Sequence, residues 1–194
     1  MASTVNHGAP PRVRPSRDDL LAAADRLLPD VIAPGLDVLL CGINPGLWSA
    51  ATGHHFARPG NRFWPALHLG GFTPRQLRPD EQDLLPEYGL GITNLAARAT
   101  ARADELTRDE LTAGGAILRA KVAEYAPRWL AVLGVTAFRT AFGVQAAKVG
   151  PQDGAPLGAT RLWILPNPSG LNAHYRLADL AAEFARLRAA AQPG

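Results

Sequence analysis

Two apolar runs, Val38 to Cys41 and Leu162 to Leu165, each break off into a rigid polar turn, and this paired pattern constrains the fold more than any other feature of the chain. The first run leads into Gly42-Ile43-Asn44-Pro45-Gly46-Leu47, the second into Pro166-Asn167-Pro168-Ser169-Gly170-Leu171. Short continuous apolar runs read as strands buried on both faces, as in a parallel sheet covered by helices. An amide, prolines and glycines then stop each strand, because they suit neither a strand nor a helix interior. Ligands of open α/β sheets bind at the carboxyl ends of strands, so the two turns outline the floor and rim of one site. Between them lies Gly53-His54-His55-Phe56-Ala57-Arg58-Pro59-Gly60-Asn61-Arg62-Phe63-Trp64, too rich in aromatic and basic groups for a plain connector.

The remaining periodicity supplies the other elements. Helical spacing covers Asp18 to Leu28 with Ser16 as N-cap, Asn61 to Leu69 ended by Gly70-Gly71, and Thr107 to Tyr125 opened by a Thr107/Glu110 capping box. Helices are also expected at Thr136 to Phe142 and Leu177 to Ala189, and strands at Val38 to Ile43, Gly91 to Leu95, Trp129 to Leu133 and Arg161 to Leu165. Lys148 to Thr160 reads as turns. Strands alternating with helices predict a three-layer α/β/α sandwich around a central, mostly parallel sheet of four to five strands. Residues 1–17 read as a basic, disordered leader and 18–194 as a single domain with no internal repeat.

Composition narrows the function classes. At 194 residues and 47% hydrophobic content the chain can bury a genuine core. No uninterrupted apolar run approaches a membrane span, and the N-terminus lacks an apolar stretch of signal-peptide type, so the cytoplasm is expected. Cys41 is the only cysteine, which rules out an internal disulfide and a cysteine-held iron–sulfur cluster. Arg12, Arg14 and Arg17 make the leader basic without any acid, a composition that adds sequence-independent attraction for phosphates. Only Lys121 and Lys148 among the 20 basic residues are lysine.

Familiar motifs are missing. No Gly-Lys-Ser/Thr follows Gly46 to Gly53, Gly89-Leu90-Gly91 lacks the third glycine of a dinucleotide fingerprint, and there is no Gly-x-Ser-x-Gly elbow. His54 and His55 are adjacent and have no third ligand at metal spacing, so no metal site is expected. The acids at Asp80 to Asp83 and Asp104 to Glu110 fall on predicted helices as solvated faces.

What remains is a site with no strong acid, base or metal: two amides (Asn44, Asn94), an aromatic ring (Phe56), and a turn carrying Ser169 and Leu171. Such a set suits a reaction whose leaving group departs as a stabilised anion. The catalyst then needs only to position a water and surround the departing charge with donors. The N-glycosidic bond to uracil or another oxidised pyrimidine is of that kind, once the base has been taken out of the duplex, stacked and read by its edge. Each group also has a structural alternative. Asn44 could cap the turn before Pro45, Phe56 could be core, and Asn94 could satisfy a buried backbone group. His55 reads equally as pocket wall or surface loop. Phe63 and Trp64 read as packing. Leu171, in a Pro/Gly turn with no core to enter, reads as a wedge.

Gly-Ile-Asn-Pro-Gly-Leu, the downstream Gly-His-His-Phe and Gly-Asn-Arg-Phe-Trp, and the late Asn-Pro-Ser-Gly-Leu resemble the mismatch-specific uracil/thymine DNA glycosylases of the uracil-DNA glycosylase superfamily. Gly91-Ile92-Thr93-Asn94-Leu95 and Gly114-Gly115-Ala116-Ile117-Leu118 resemble segments between that family's motifs, and the similarity runs from about residue 36 to 185. The resemblance implies that Asn44 orients the attacking water, that Phe56 stacks on the flipped base, and that backbone N–H groups near Ile43 and Phe56 read its edge. Gly46, Ser49, His55, Asn94 and Asn167 would line the same pocket. Ser169 and Gly170 would meet the DNA backbone and the orphaned guanine, with Leu171 entering the stack. A carboxamide is no base at neutral pH, so slow turnover and a need for a good leaving group are expected.

The sequence departs from the family pattern in two places. Trp48 stands where some relatives carry a small residue, so the mouth would be narrower or the ring would face the DNA. The arginine that some relatives place after Leu171 is absent, leaving His174 or Arg176 as substitutes. The expected activity is monofunctional removal of uracil, and of thymine or other damaged pyrimidines opposite guanine, from double-stranded DNA by a monomer that needs no cofactor. No lysine stands in either motif to support a Schiff-base lyase step. The alternatives are a non-catalytic binder of mismatched or abasic DNA and, less well supported, a hydrolase of free nucleosides.

Overall fold

Alternate residues of each long strand turn to opposite faces of one sheet, and both faces are covered. A computed structural model describes residues 14–153 and 157–192. Its sheet contains β1 (Val38–Gly42), β2 (Leu90–Asn94), β3 (Trp129–Leu133), β4 (Gly150–Gln152) and β5 (Arg161–Leu165) in the order β2-β1-β3-β5-β4. All pairings are parallel except β4 with β5. Val38 and Leu40, Trp129 and Ala131, and Trp163 and Leu165 face one core, whereas Leu39 and Cys41, Leu130 and Val132, and Leu162 and Ile164 face the other. This two-sided burial is why the strands read as continuous apolar runs.

The helices are α1 (Arg17–Ala22), α2 (Leu47–Thr52), α3 (Phe63–Leu69), α4 (Arg108–Tyr125), α5 (Val135–Phe142) and α6 (Leu177–Ala191). On the first face α3 and α6 contribute Phe63, Trp64, Leu67, Phe184 and Leu187, joined by Leu85 from a 3-10 segment, Pro79–Tyr88. On the second face α4 and α5 contribute Leu118, Val122 and Phe138. The result is the expected three-layer α/β/α sandwich with a mostly parallel five-stranded sheet. Burial in its middle pushes the Cys41 thiol pKa up, which fits a filler rather than a reactive group.

The Thr107/Glu110 capping box opens α4 as expected, and β3 and β5 have the expected bounds. The other expected elements shift by a residue or two at their ends, and three departures are larger. α1 keeps its Ser16 cap but stops at Ala22 rather than Leu28, because Asp25 adopts a left-handed φ of 60° and the chain turns to pair with residues 98–99. There the tertiary pairing overrides the helical pattern. α2 has no side-chain cap, and six residues between two glycines carry little periodic signal. β4, inside the expected turn region, is an antiparallel edge strand containing Pro151, a residue that edge strands tolerate. The basic leader expected at 1–17 lies outside the described residues through residue 13, and Arg17 already belongs to α1.

Candidate active site

The parallel strands β1, β2, β3 and β5 all end on one side of the sheet, where a cleft of about 1030 Å³ opens. Gly42, Asn94, Leu133 and Pro166 line it from the four strand ends. Because the chain passes from β1 to β2 on one side and then back across to β3 on the other, this is the point where the winding reverses, the usual ligand site of such sheets.

Asn44 is delivered into the cleft by an extension of β1 beyond Gly42. The carbonyls of Gly42 and Ile43 accept from Leu95 N and Ala96 N, at 2.9 Å each, and Thr100 N donates to Pro45 O at 3.2 Å. The side chain makes no turn cap. Its Nδ2 donates instead to Arg98 O at 3.1 Å and to Thr100 Oγ1 at 2.7 Å. Both amide hydrogens are thereby committed, which leaves Oδ1 as the group available to a ligand. The supporting segment is itself anchored: Arg98 pairs with Glu110 and Asp25, and the Arg98 guanidinium, followed by the Thr107 N–H, holds the Glu110 carboxyl pKa down at about 2. Glu110 is therefore an anchor and not the bare solvated face expected of it. Glu81, paired with Arg75, is likewise held at about 2.

The loop after α2 presents Phe56. Ser49, buried on α2, takes Ala57 N–H on its Oγ at 3.2 Å and His54 N–H on its carbonyl at 3.1 Å. The backbone of His55 is held by two buried side chains: its N–H donates to Gln82 Oε1 at 2.8 Å, and its carbonyl accepts from Trp64 Nε1 at 3.1 Å. Phe56 sits at φ 53°, a left-handed conformation costing a bulky residue about 1–2 kcal/mol. Its ring stacks on buried Phe63 with centroids 4.0 Å apart, a pairing that contributes about 0.5–1.5 kcal/mol in return. One ring face is covered in this way, and Phe56 also lines the cleft. Phe56 N–H has no acceptor among the described residues, although the N–H groups on either side of it do. Strained backbone held from several directions is a mark of functional sites.

His55 is a wall of the cleft and not a surface loop, being only 2% exposed. Nε2 lies 2.9 Å from Pro29 O, an acceptor only, so the proton is on Nε2 and Nδ1 is an acceptor. Asn94 Nδ2 reaches Nδ1 at 3.4 Å. Asn94 Oδ1 consequently faces Gly42, so close that a Cβ built on Gly42 would lie 2.5 Å from it and 3.2 Å from Phe56 Cζ. Burial, more than any other influence, keeps the His55 pKa below its ordinary value.

The second turn folds on itself and is clamped from below. Ser169 N–H donates to Asn167 Oδ1 at 2.9 Å, Leu171 N–H to Ser169 Oγ at 3.3 Å, and Asn172 Nδ2 to Asn167 O at 2.9 Å. Asn167 lines the cleft, but its Oδ1 is used in shaping the loop. Arg62 spans three carbonyls of this region, donating to Ser169 O, Tyr175 O and, at 2.9 Å, Asn172 O, while its own N–H meets Pro168 O at 3.0 Å. Leu171, 74% exposed, crowns the loop with its apolar side chain in solvent.

Ile43, Asn44, Gly46, Ser49, His55, Phe56, Asn94, Asn167, Ser169 and Leu171 thus all line one cleft, and Gly170 belongs to the loop at its rim without lining it. Trp48 is half-buried and does not line the cleft, so it does not narrow the mouth; His174 lines it and Arg176 does not. Sequence reasoning missed Thr100, which carries no motif, and the functional bearing of Arg58 and Arg62. The last two had a signal, cations between glycines in an aromatic loop. Arg58 is exposed at the rim and makes no ion pair among the described residues. Among those residues no three His, Cys, Asp or Glu side chains gather to hold a metal ion, and no helix is long and apolar enough to cross a membrane.

The model of the uracil DNA glycosylase superfamily matches residues 29–191, most of the chain. The chain belongs to that superfamily and is, in general terms, a DNA glycosylase of DNA repair: a hydrolase of N-glycosyl bonds whose substrate is DNA.

Proposed function

We propose that this superfamily member removes uracil, and with it thymine and other damaged pyrimidines opposite guanine, from double-stranded DNA, leaving an abasic site. The observation that carries the reading is the disposition of Asn44 and Phe56: a carboxamide whose two N–H hydrogens are tied down, leaving its oxygen, shares one cleft with an aromatic ring stacked on Phe63.

The chemistry follows from what these groups can and cannot do. The flipped base stacks on the face of Phe56 opposite Phe63, and its edge meets Asn94 Oδ1 and the unpaired Phe56 N–H. The C1′–N1 bond breaks with its electron pair leaving on the base, whose negative charge is stabilised by the N–H donor. A water held by Asn44 Oδ1 then adds its oxygen to C1′ and loses a proton to solvent, and the departed base anion takes up a proton in turn, so that the products are the C1′ hydroxyl and the neutral base. Asn44 orients this water but cannot deprotonate it, so turnover is slow and depends on the acidity of the leaving base. Leu171 fills the vacated stack while the loop around Ser169 and Gly170 lies on the backbone and the orphaned guanine. Arg58 supplies a cation for a phosphate at the rim. Neither turn carries a lysine, so the reaction stops at the abasic site. No cofactor enters, and one protomer carries every group named.

The test is base release from a labelled duplex with one G·U pair, enzyme in excess, followed by alkali to cut abasic sites. Strand cleavage in the wild type, lost in Asn44→Ala with duplex binding retained, is the expected result. Retention of duplex without any base release would replace this reading with a non-catalytic lesion binder, and full cleavage by Asn44→Ala would remove Asn44 from the chemistry.

A further inference from the structure

Asn44 can serve a water only if its amide is turned one way round, and the structure holds the parts that turn it. Arg98 O is a carbonyl and can only accept. The single hydroxyl hydrogen of Thr100 is given to Arg102 O at 2.7 Å, so Thr100 Oγ1 faces Asn44 with a lone pair. Two acceptors therefore confront position 44. A carboxamide meets them with its two N–H groups; rotated by half a turn, it would put Oδ1 against both lone pairs. Thr100 is 3% exposed and its backbone bridges to Gly46, so its oxygen is fixed in place, and turning the hydroxyl hydrogen toward Asn44 would leave Arg102 O without it.

We infer that Thr100 is a positioning residue for the glycosylase reaction, orienting Asn44 through its hydroxyl, and that the same cradle excludes a carboxylate at position 44. The inference rests on the proposed reading of Asn44. Its second half runs against simple chemical expectation. A carboxylate is a far better base than an amide, so Asn44→Asp ought to speed the reaction wherever the site could host it. Here one carboxylate oxygen would face Arg98 O with no hydrogen between them. The acid must then hold a proton or swing out of place, and in either form it is no base.

The experiment is single-turnover base release from the G·U duplex by wild type, Thr100→Ser, Thr100→Val and Asn44→Asp, with Kd for an uncleavable duplex and Tm measured on each. Thr100→Ser keeps the hydroxyl and is expected to cleave close to the wild-type rate. Thr100→Val keeps the shape but not the acceptor and should lose about 10- to 100-fold in rate, the scale of a misplaced catalytic group, with Kd unchanged. Asn44→Asp should stay slower than wild type at every pH. The positioning role is overturned if Thr100→Val cleaves normally, if Thr100→Ser falls as far as Thr100→Val, or if Kd rises in step with the rate loss. A faster Asn44→Asp overturns the exclusion, and this arm decides even where Thr100→Val does not fold. Absence of base release by the wild type is a different failure, that of the glycosylase reading itself.

Discussion

Gly170 rests directly against the backbone of Gly60: a Cβ on Gly170 would stand 2.7 Å from Gly60 O. Two loops a hundred residues apart are thus locked at van der Waals distance by the absence of a side chain. One loop carries Phe56, the platform proposed for the base, and the other carries Leu171, the proposed wedge. Their spacing is what a duplex with one flipped nucleotide would have to match.

Gly170→Ala tests that spacing. The methyl group meets backbone rather than a flexible side chain, so one loop must move away from the other. Base release from duplex should fall by about 10-fold or more, given how steeply rate depends on alignment. Tm should change little, because Gly170 is exposed and buries no core. A variant with normal cleavage would show that the two loops need not keep their register.

Gly42→Ala probes the pocket floor. Its methyl would stand 2.5 Å from Asn94 Oδ1 and 3.2 Å from Phe56 Cζ, the two groups proposed to read and stack the base. Gly42 ends β1 and is buried, so the neighbours must yield. Displacing both should lower single-turnover cleavage by about 100-fold, with binding of an abasic product duplex, which has no base to seat, preserved. Equal loss with both ligands would mean that the substitution damages the sheet and not the pocket.

His55 makes the protein sensitive to mild acid. It is enclosed by Pro29 O, Asn94, His54, and the charges of Asp30 and Lys121, and burial keeps its pKa below the ordinary 6.5. As pH falls through 6.5 the unfolded chain takes up a proton here before the folded one does, so stability is complete above that pH and declines below it. Protonated His55 would also donate from Nδ1 and reverse the Asn94 amide. The Tm should therefore fall between pH 7.5 and 5.5, above the range where the stability from Glu81 and Glu110 is lost, and base release should fall with it. In His55→Gln the Tm should start lower but decline less over the same interval. Parallel slopes would assign the decline elsewhere.

The fold was legible where burial is two-sided. β3 and β5 agree with expectation to the residue because nothing polar interrupts them until the strand ends. β4 was hidden because pairing at an edge, and not its own three residues, makes it a strand. The groups that line the cleft were legible as types, since an amide or a leucine in a Pro/Gly turn is out of place elsewhere. Their supports were not. Thr100 and Arg98 reach Asn44 from more than fifty residues away, and Arg62 reaches Ser169 from more than a hundred. Such contacts exist only once the sheet order has brought the strand ends together.

Arg62 is the support whose loss should be most specific. Its guanidinium donates to three carbonyls on and beside the wedge loop, a task for a planar fork with five hydrogens. Arg62→Lys keeps the charge but offers a single ammonium that cannot span Ser169 O, Asn172 O and Tyr175 O together. The loop should loosen while the cleft floor stays intact. Leu171→Ala, which shortens the wedge itself, provides the reference. With 2-aminopurine beside the target base, both variants should give a smaller fluorescence rise on binding than wild type, and both should lose about 10-fold in duplex cleavage. Uracil placed opposite an abasic analogue, where no partner strand base holds it in the stack, should be cleaved by both at rates nearer to wild type. If Arg62→Lys loses that substrate as completely as the paired one, its role lies in holding Phe63 and α3, and the clamp on the wedge is not what the arginine is for.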